Sequence, residues 1–307
     1  MRRLLIALAI AVAIPAALFT FLYVNTFFND YTGVPTDFSP SAALKEKPAA
    51  WTEPTTIKVV TFNIQDLLVV AKDHEDRMRA VAAKLSSLDP DIVGFQEAFI
   101  EDHRALLIQE LEKRTRLRHF QYYPSGTMGS GVLTASAFPI KENWFHRYEA
   151  SNPWWKVWEG DYWAGKGVGL ARIELPNGAL LDFFNTHAQA SYGVPANVTV
   201  RESQMAGLGK FVAEASTGTV PAIVVGDLNS RIGSDAYNNA ITGGNLVRTM
   251  AIDSSIDHIL TVNNPAYQVE ILGTIEIQEH VTSNGKQFYL SDHNGYQSEL
   301  KISPAAK

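Results

Sequence analysis

The chain has 307 residues with 26 basic against 32 acidic side chains, a net charge of −6, and no cysteine. That excludes disulfides, thiolate metal sites and a cysteine nucleophile, and it argues against the broad basic surface of a nucleic-acid binder. With 46% hydrophobic and 19% charged residues, the bulk of the chain is globular rather than disordered.

Leu4 to Val24 is apolar apart from Thr20, carries Pro15, and follows Arg2 and Arg3. About 20 such residues span a bilayer core, and the leading arginines keep the N-terminus cytoplasmic. No small-residue cleavage site follows, because Tyr23, Phe27 and Phe28 stand there. Residues 1–28 are therefore expected to be an uncleaved transmembrane signal-anchor, with a cleaved signal peptide and a buried core helix as alternatives. Either of the first two places the rest outside the cytoplasm, anchored or secreted. Residues 29–56 hold Pro35, Pro40, Pro48 and Pro54 without periodicity and read as a linker. Charges balance up to this point, so the whole excess of acid falls on residues 57–307.

The folded region begins with the β-branched run Ile57–Asn63, expected as a strand. Met78, Val81, Ala82, Leu85 and Leu88 recur at helical spacing, and Pro90 stops that helix. A second strand runs from Asp91 to Glu97. Leu106, Leu107 and Leu111 suggest a further helix. Residues 131–136, 169–175 and 179–185 read as strands, the last two joined as a hairpin by Pro176-Asn177-Gly178. A helix over 201–215, a strand over 222–227 and short strands near 256–260 and the C-terminus complete the order. Strands mixed with a few helices suit one α/β domain of packed sheets, residues 57–303.

Polar residues recur where these strands end: Asn63, Glu97, His187, Asp227, Asn229, Asp257, Asp292 and His293. Each alone has a bland reading as a turn residue, a solvated carboxylate or a structural histidine. Together they supply a carboxylate for a hard cation, Asp and Asn for a water, and histidines for proton work. Phosphodiester hydrolysis needs those three functions. No His-Glu-x-x-His, Gly-x-Ser-x-Gly or phosphate-cradling Gly-rich loop is present.

The ordered segments Thr61-Phe62-Asn63-Ile64, Phe95-Gln96-Glu97, Asn185-Thr186-His187, Gly226-Asp227-Leu228-Asn229, Ile256-Asp257-His258-Ile259 and Ser291-Asp292-His293 resemble the endonuclease/exonuclease/phosphatase superfamily. Within it the chain looks most like the neutral sphingomyelinases, through Asp76-Arg77-Met78-Arg79, Gly129-Ser130-Gly131-Val132-Leu133 and the Gly160-Asp161 to Lys166-Gly167 segment. The resemblance implies a four-layer sandwich of two mixed β-sheets flanked by helices. It implies Mg²⁺, with Mn²⁺ as its alternative, held by Glu97 with Asn63 and Asp292. It also implies a base–orienter pair His293–Asp257, a water positioned by Asp227 and Asn229, and charge stabilisation by His187 and Lys166. Asp161 and Lys166 would form a switch pair. Whether His293 or Asp227 is the base stays open. Where the family has Arg-Ile-Asp-Tyr this chain has Ser255-Ile256-Asp257-His258, so an arginine contact is lost, and the stretch from Asn229 to Asp257 is short.

Five of the six tryptophans lie in Trp144–Trp163, leading into Asp161 and Lys166. The stretch is either a loop packed by its own rings or a lipid-facing surface that could hold a choline-type headgroup by cation–π attraction. The expected activity is a membrane phospholipase C acting on sphingomyelin, working as a monomer without stable nucleic-acid binding. The alternatives are an extracytoplasmic nuclease or phosphatase, and a catalytically idle binding module. Asn197-Val198-Thr199 fits a glycosylation acceptor.

Overall fold

The computed structural model describes residues 2–28, 51–216, 218, 220–278, 280–283 and 285–305. Most of the expected linker, residues 29–50, lies outside them. Two six-stranded mixed sheets face each other, with helices on both outer faces. The first is built around β1 (Thr55–Asn63) and β2 (Ile92–Gln96), which run parallel and are joined through α2 (His74–Leu88). The second is built around β7 (Leu180–His187) and β8 (Ala222–Asp227), also parallel and joined through α5 (Pro195–Ala215). A parallel pair requires such a crossover, and the crossover helix covers one face of its own sheet.

Alternation along β1 shows how both faces are buried. Ile57 and Val59 point into the layer between the sheets, with Ile92, Phe183 and Ile223. Val60 and Phe62 point outward under α2 and α3 (Glu101–Arg114), against Met78, Leu85 and Leu107. Period-two side-chain geometry thus makes one strand serve two cores. The sheets approach closely at Gly94, where an added Cβ would lie 2.5 Å from Val225 Cγ2. Across this junction Gln96 Nε2 donates to Asn185 Oδ1 (2.7 Å), and Asn185 Nδ2 donates to the carbonyls of Phe95 (3.2 Å) and Leu133 (3.0 Å). The remaining strands flank these centres: β3 (His119–Tyr122), β4 (Leu133–Ser136), β11 (Tyr267–Ile277) and β14 (Gly295–Pro304) in the first sheet. β5 (Ile140–Arg147), β6 (Gly167–Glu174), β9 (Leu246–Arg248) and β10 (Asp257–Val262) complete the second, and β12 (His280–Ser283) pairs with β13 (Lys286–Tyr289) as a separate ribbon. The hairpin expected at Pro176-Asn177-Gly178 joins β6 to β7.

The N-terminal expectation needs correction. Arg2–Phe28 forms a helix, α1, but among the described residues no helix is long and apolar enough to cross a membrane. Instead its later half packs on the domain. The Phe19 ring lies 4.7 Å from that of Trp154, Tyr23 stacks on Tyr162 at 6.1 Å, and the Leu22 carbonyl accepts from Thr127 Oγ1 (3.1 Å). The short helix α4 (Asp161–Ala164) carries Tyr162 and Trp163 of this junction.

The glycosylation reading also fails. Asn197 is fully buried and its Nδ2 donates to Glu159 Oε2 at 2.9 Å, so the folded chain presents no acceptor amide there.

Candidate active site

Parallel β1–β2 and β7–β8 point their C-terminal ends the same way, and polar side chains follow each apolar run there. Ligand and catalytic groups gather at such ends because the strands are rigid while the emerging side chains reach an opening. Asn63 ends β1 and Glu97 follows β2, while His187 and Asp227 end β7 and β8 in matched register. Asp257 opens β10 directly opposite Asp227. His293 arrives from the turn before β14. Glu97 has φ 57 and Asn229 φ 48, left-handed conformations that turn each chain sharply out of its strand.

Asn63 bridges two carboxylates: its Nδ2 donates to Glu97 Oε1 and to Asp227 Oδ2, both at 3.1 Å. His187 Nε2 lies 3.7 Å from Glu97 Oε1 and 3.6 Å from Asp227 Oδ2. His293 Nδ1 is 2.9 Å from Asp257 Oδ2, and its Nε2 is 3.7 Å from Asp227 Oδ2. Lys166 Nζ pairs with Asp161 Oδ1 at 2.9 Å and reaches His187 Nε2 at 2.8 Å. Both Asp161 and Lys166 are buried, so this is an internal pair and not a surface one. Asn229 closes a turn, its N–H donating to Asp227 Oδ1 (2.8 Å) and its Nδ2 to the Ala188 carbonyl (3.1 Å). Asp292 stands apart: it is exposed, it accepts from the Ser291 hydroxyl at 3.4 Å, and its charge acts on Glu97 and His293.

The electrostatics follow from burial and crowding. Burial pushes the Glu97 carboxyl up, against the pull of Lys166 and the Asn63 hydrogen bond. Asp227 is pushed up to about 6 by burial and by the neighbouring Asp257 charge. Burial opposes a charged His293, yet the hydrogen bond it donates to Asp257 and the fields of Asp227, Asp257 and Asp292 carry it up to about 10. His187 moves the other way, well below its ordinary value, through burial beside Lys166 and His293. The site therefore keeps one imidazolium, one neutral imidazole and an excess of carboxylate.

Two carboxylate oxygens in this cluster, Glu97 Oε2 and Asp257 Oδ1, are buried without a partner among the described residues. A buried carboxylate oxygen needs compensation, and a hard divalent cation supplies it through oxygen ligands and retained waters. Glu97, His187 and Asp227 lie close enough for one ion, as do Asp227, Asp257 and His293. The residues present thus fit a divalent metal centred on Glu97.

Sequence reasoning missed Gln189 and Tyr192. Gln189 is fully buried and its Nε2 donates to Asp161 Oδ2 at 2.6 Å, which fixes the carboxylate facing Lys166. It lies two residues beyond His187, and that spacing was the available signal. Tyr192 sits at the rim, its hydroxyl donating to the Glu159 carbonyl at 3.1 Å, and nothing in the pattern marks it. The aromatic stretch divides: Trp144, Phe145, Tyr148, Tyr162 and Trp163 are buried, whereas Trp154, Trp155 and Trp158 are exposed at 38%, 57% and 76%.

The model of the Endonuclease/Exonuclease/phosphatase family matches residues 60–293. A candidate neutral sphingomyelinase of Drosophila melanogaster is 27% identical over 273 residues, covering 80% of this chain and 61% of that protein. An inositol phosphosphingolipids phospholipase C of Schizosaccharomyces pombe is 33% identical over 178 residues, covering 56% of this chain and 41% of that one. The chain thus spans about two to three fifths of the length of these relatives. Among solved structures, a Staphylococcus aureus beta toxin variant with bound magnesium ions superposes with a TM-score of 0.63 at 18% identity, covering 80% of this chain and 99% of that one.

Proposed function

The chain belongs to the Endonuclease/Exonuclease/phosphatase family, and from that premise we propose that it is a Mg²⁺-dependent phosphodiesterase cleaving a sphingophospholipid, sphingomyelin first, to ceramide and a phosphorylated headgroup. The observation that carries the phosphodiesterase reading is the Glu97–Asp227–His293 cluster, with a buried carboxylate oxygen that has no partner among the described residues, at the ends of three strands from both sheets. Glu97 would hold the metal, with Asn63 and Asp227 beside it and Asp292 adding charge from outside. When bound, the metal supplies charge neutralisation on the phosphoryl oxygens.

The chain's own residues supply the rest. Asp227, ionised above about pH 6 and turned by the Asn229 N–H, accepts the proton of the attacking water. That assigns the base to Asp227 and leaves His293 a different task. Held as imidazolium by Asp257, His293 donates to a phosphoryl oxygen and offsets the charge that builds on it, while the bond from phosphorus to the ceramide oxygen breaks and that oxygen takes its proton from solvent. Lys166 reaches the same region through His187, and Asp161 with Gln189 holds Lys166 in place.

The relatives bearing sphingophospholipid names support the lipid reading. The exposed Trp154, Trp155 and Trp158, on the segment leading to Asp161, offer rings for a bilayer interface or a quaternary ammonium headgroup. Along α1, Ile6, Ile10, Val12, Ile14, Leu18 and Phe21 are exposed and apolar on more than one side of the helix, a surface that suits contact with a membrane. On this reading the domain works outside the cytoplasm, as a monomer at the bilayer. The test is phosphocholine release from sphingomyelin vesicles against nicking of plasmid DNA, each with Mg²⁺ and with chelator. Mg²⁺-dependent phosphocholine release is expected; plasmid nicking without lipid turnover would overturn the substrate assignment.

A further inference from the structure

A second cluster of ligand-bearing side chains lies behind the site. Asp66 is fully buried, and both His74 Nδ1 (2.7 Å) and His103 Nδ1 (2.9 Å) converge on its Oδ1. Its Oδ2 accepts from the Ile100 N–H at 3.2 Å, which fixes the carboxylate plane. The two imidazole rings stack at 4.6 Å with 24° between planes, and each side chain is about one fifth exposed or less, so the cluster opens toward solvent on one side. His74 begins α2 and His103 lies in the first turn of α3, so two rigid elements hold the rings.

We propose that Asp66 Oδ1, His74 Nδ1 and His103 Nδ1 form a binding site for a borderline divalent cation of the Zn²⁺ type, distinct from the oxygen-rich site at Glu97. Three protein ligands with one open side suit a tetrahedral ion that completes its shell with water. Two imidazoles and one carboxylate select zinc-like ions, whereas Mg²⁺ prefers oxygen and keeps its waters. The Arg77 guanidinium acts on Asp66 through its charge. A site with one carboxylate next to a fixed cation holds its ion through nitrogen coordination and not by charge alone. On binding, each ring presents its Nδ1 lone pair to the ion.

The site has a mechanical consequence for the first one. The Asp66 N–H donates to the Glu97 carbonyl at 3.0 Å, and the Gln65 N–H donates to Asn63 Oδ1 at 3.0 Å. Fixing Asp66 therefore braces both Glu97, in its left-handed backbone, and Asn63. The same loop displays Leu68, Val69 and Val70, exposed at 68% or more, so an ion at Asp66 also pins the base of an apolar loop tip.

The test uses the untagged full chain stripped with chelator and titrated with Zn²⁺ alone against a chromophoric competitor, in a Glu97→Gln background that weakens the first site. Glu97→Gln is expected to retain one tightly held Zn²⁺. Adding His103→Gln should weaken it at least about tenfold, with unchanged circular dichroism, and Zn²⁺ should shift the Nδ1 resonances of both histidines. If His103→Gln disturbs folding, His74→Gln carries the same comparison. Equal Zn²⁺ affinity with and without His103, or loss of all binding in Glu97→Gln alone, would overturn the site. Because the readout is metal binding, its failure leaves the hydrolytic reading of the Glu97 cluster separately testable.

Discussion

Two buried ionic groups sit at opposite ends of the same hairpin, β6–β7, and they are built differently. At the end near the turn, Arg172 and Asp182 face each other in register, with Nε to Oδ1 at 2.8 Å and Nη2 to Oδ2 at 2.9 Å. Glu142 adds a third contact, at 3.0 Å to Nη1. Both carboxylate oxygens of Asp182 are used, and the group is closed on itself. At the other end, past His187, carboxylates outnumber their cations, and Glu97 and Asp257 each keep a buried oxygen without a partner among the described residues. A closed group fixes geometry; an open one is unfinished without something that brings positive charge. The difference separates a structural ion pair from the proposed reaction centre in one pair of strands, and substitutions at the two ends should separate in the same way.

The largest expected effect is at the open end. Glu97→Gln or His293→Ala should lower turnover at least about 10³-fold, and Glu97→Gln should do so with the unfolding midpoint in chelator nearly unchanged; near-normal turnover in either variant would remove the distinction. The closed end should behave in reverse. Asp182→Ala leaves a buried guanidinium short of its bidentate partner and should cost about 3–5 kcal/mol of stability by urea unfolding. Turnover per folded molecule should stay close to normal.

A smaller effect comes from His258, beside the open end. It is buried with Nε2 on the Ser230 carbonyl (2.7 Å), and burial lowers it to about 4. The unfolded chain takes up this proton near pH 6.5 and the folded chain does not. Its contribution is therefore complete above pH 6.5 and is lost as pH falls toward 4, by about 3 kcal/mol. His258→Phe should flatten that part of the stability profile, which urea unfolding at pH 7 and pH 5 would read. The smallest effect is at the exposed rings: Trp155→Ala with Trp158→Ala should weaken vesicle binding several-fold while leaving hydrolysis of a soluble phosphodiester unchanged.

How much of this was legible in the sequence depends on whether a residue's neighbours are local. Asn63, Glu97, His187 and Asp227 each follow an apolar run, so each could be placed at a strand end before any fold was known. Their convergence was carried by family resemblance, since nothing local brings β2 to β7. The elements missed are those that tertiary contacts create. The outer strand β11 is largely exposed, and its alternation over Tyr267–Ile271 is broken at Leu272-Gly273, where the register shifts. The helix Asp235–Gly244 is rich in Asn and Gly, poor helix formers. It forms because the Ser234 hydroxyl accepts from the Tyr237 N–H and because Gly209 and Gly243 let two helices touch, an added Cβ at Gly209 meeting Gly243 at 2.9 Å. The aromatic stretch misled in part because β5 turns Trp144 and Phe145 into the core, while tryptophan content alone could not say which rings face out. The apolar N-terminus read as a membrane span because length and hydropathy carry no information on Trp154 and Tyr162, the rings it meets in the fold.

The central claim is that Glu97 anchors a divalent cation in the open cluster. Thermal unfolding of wild type and Glu97→Gln, each with Mg²⁺ and with chelator, tests it without reference to substrate. Mg²⁺ should raise the wild-type midpoint and leave Glu97→Gln unmoved, because only the wild type gains a ligand for the ion on folding. An equal rise in both proteins would place the metal elsewhere and contradict the account.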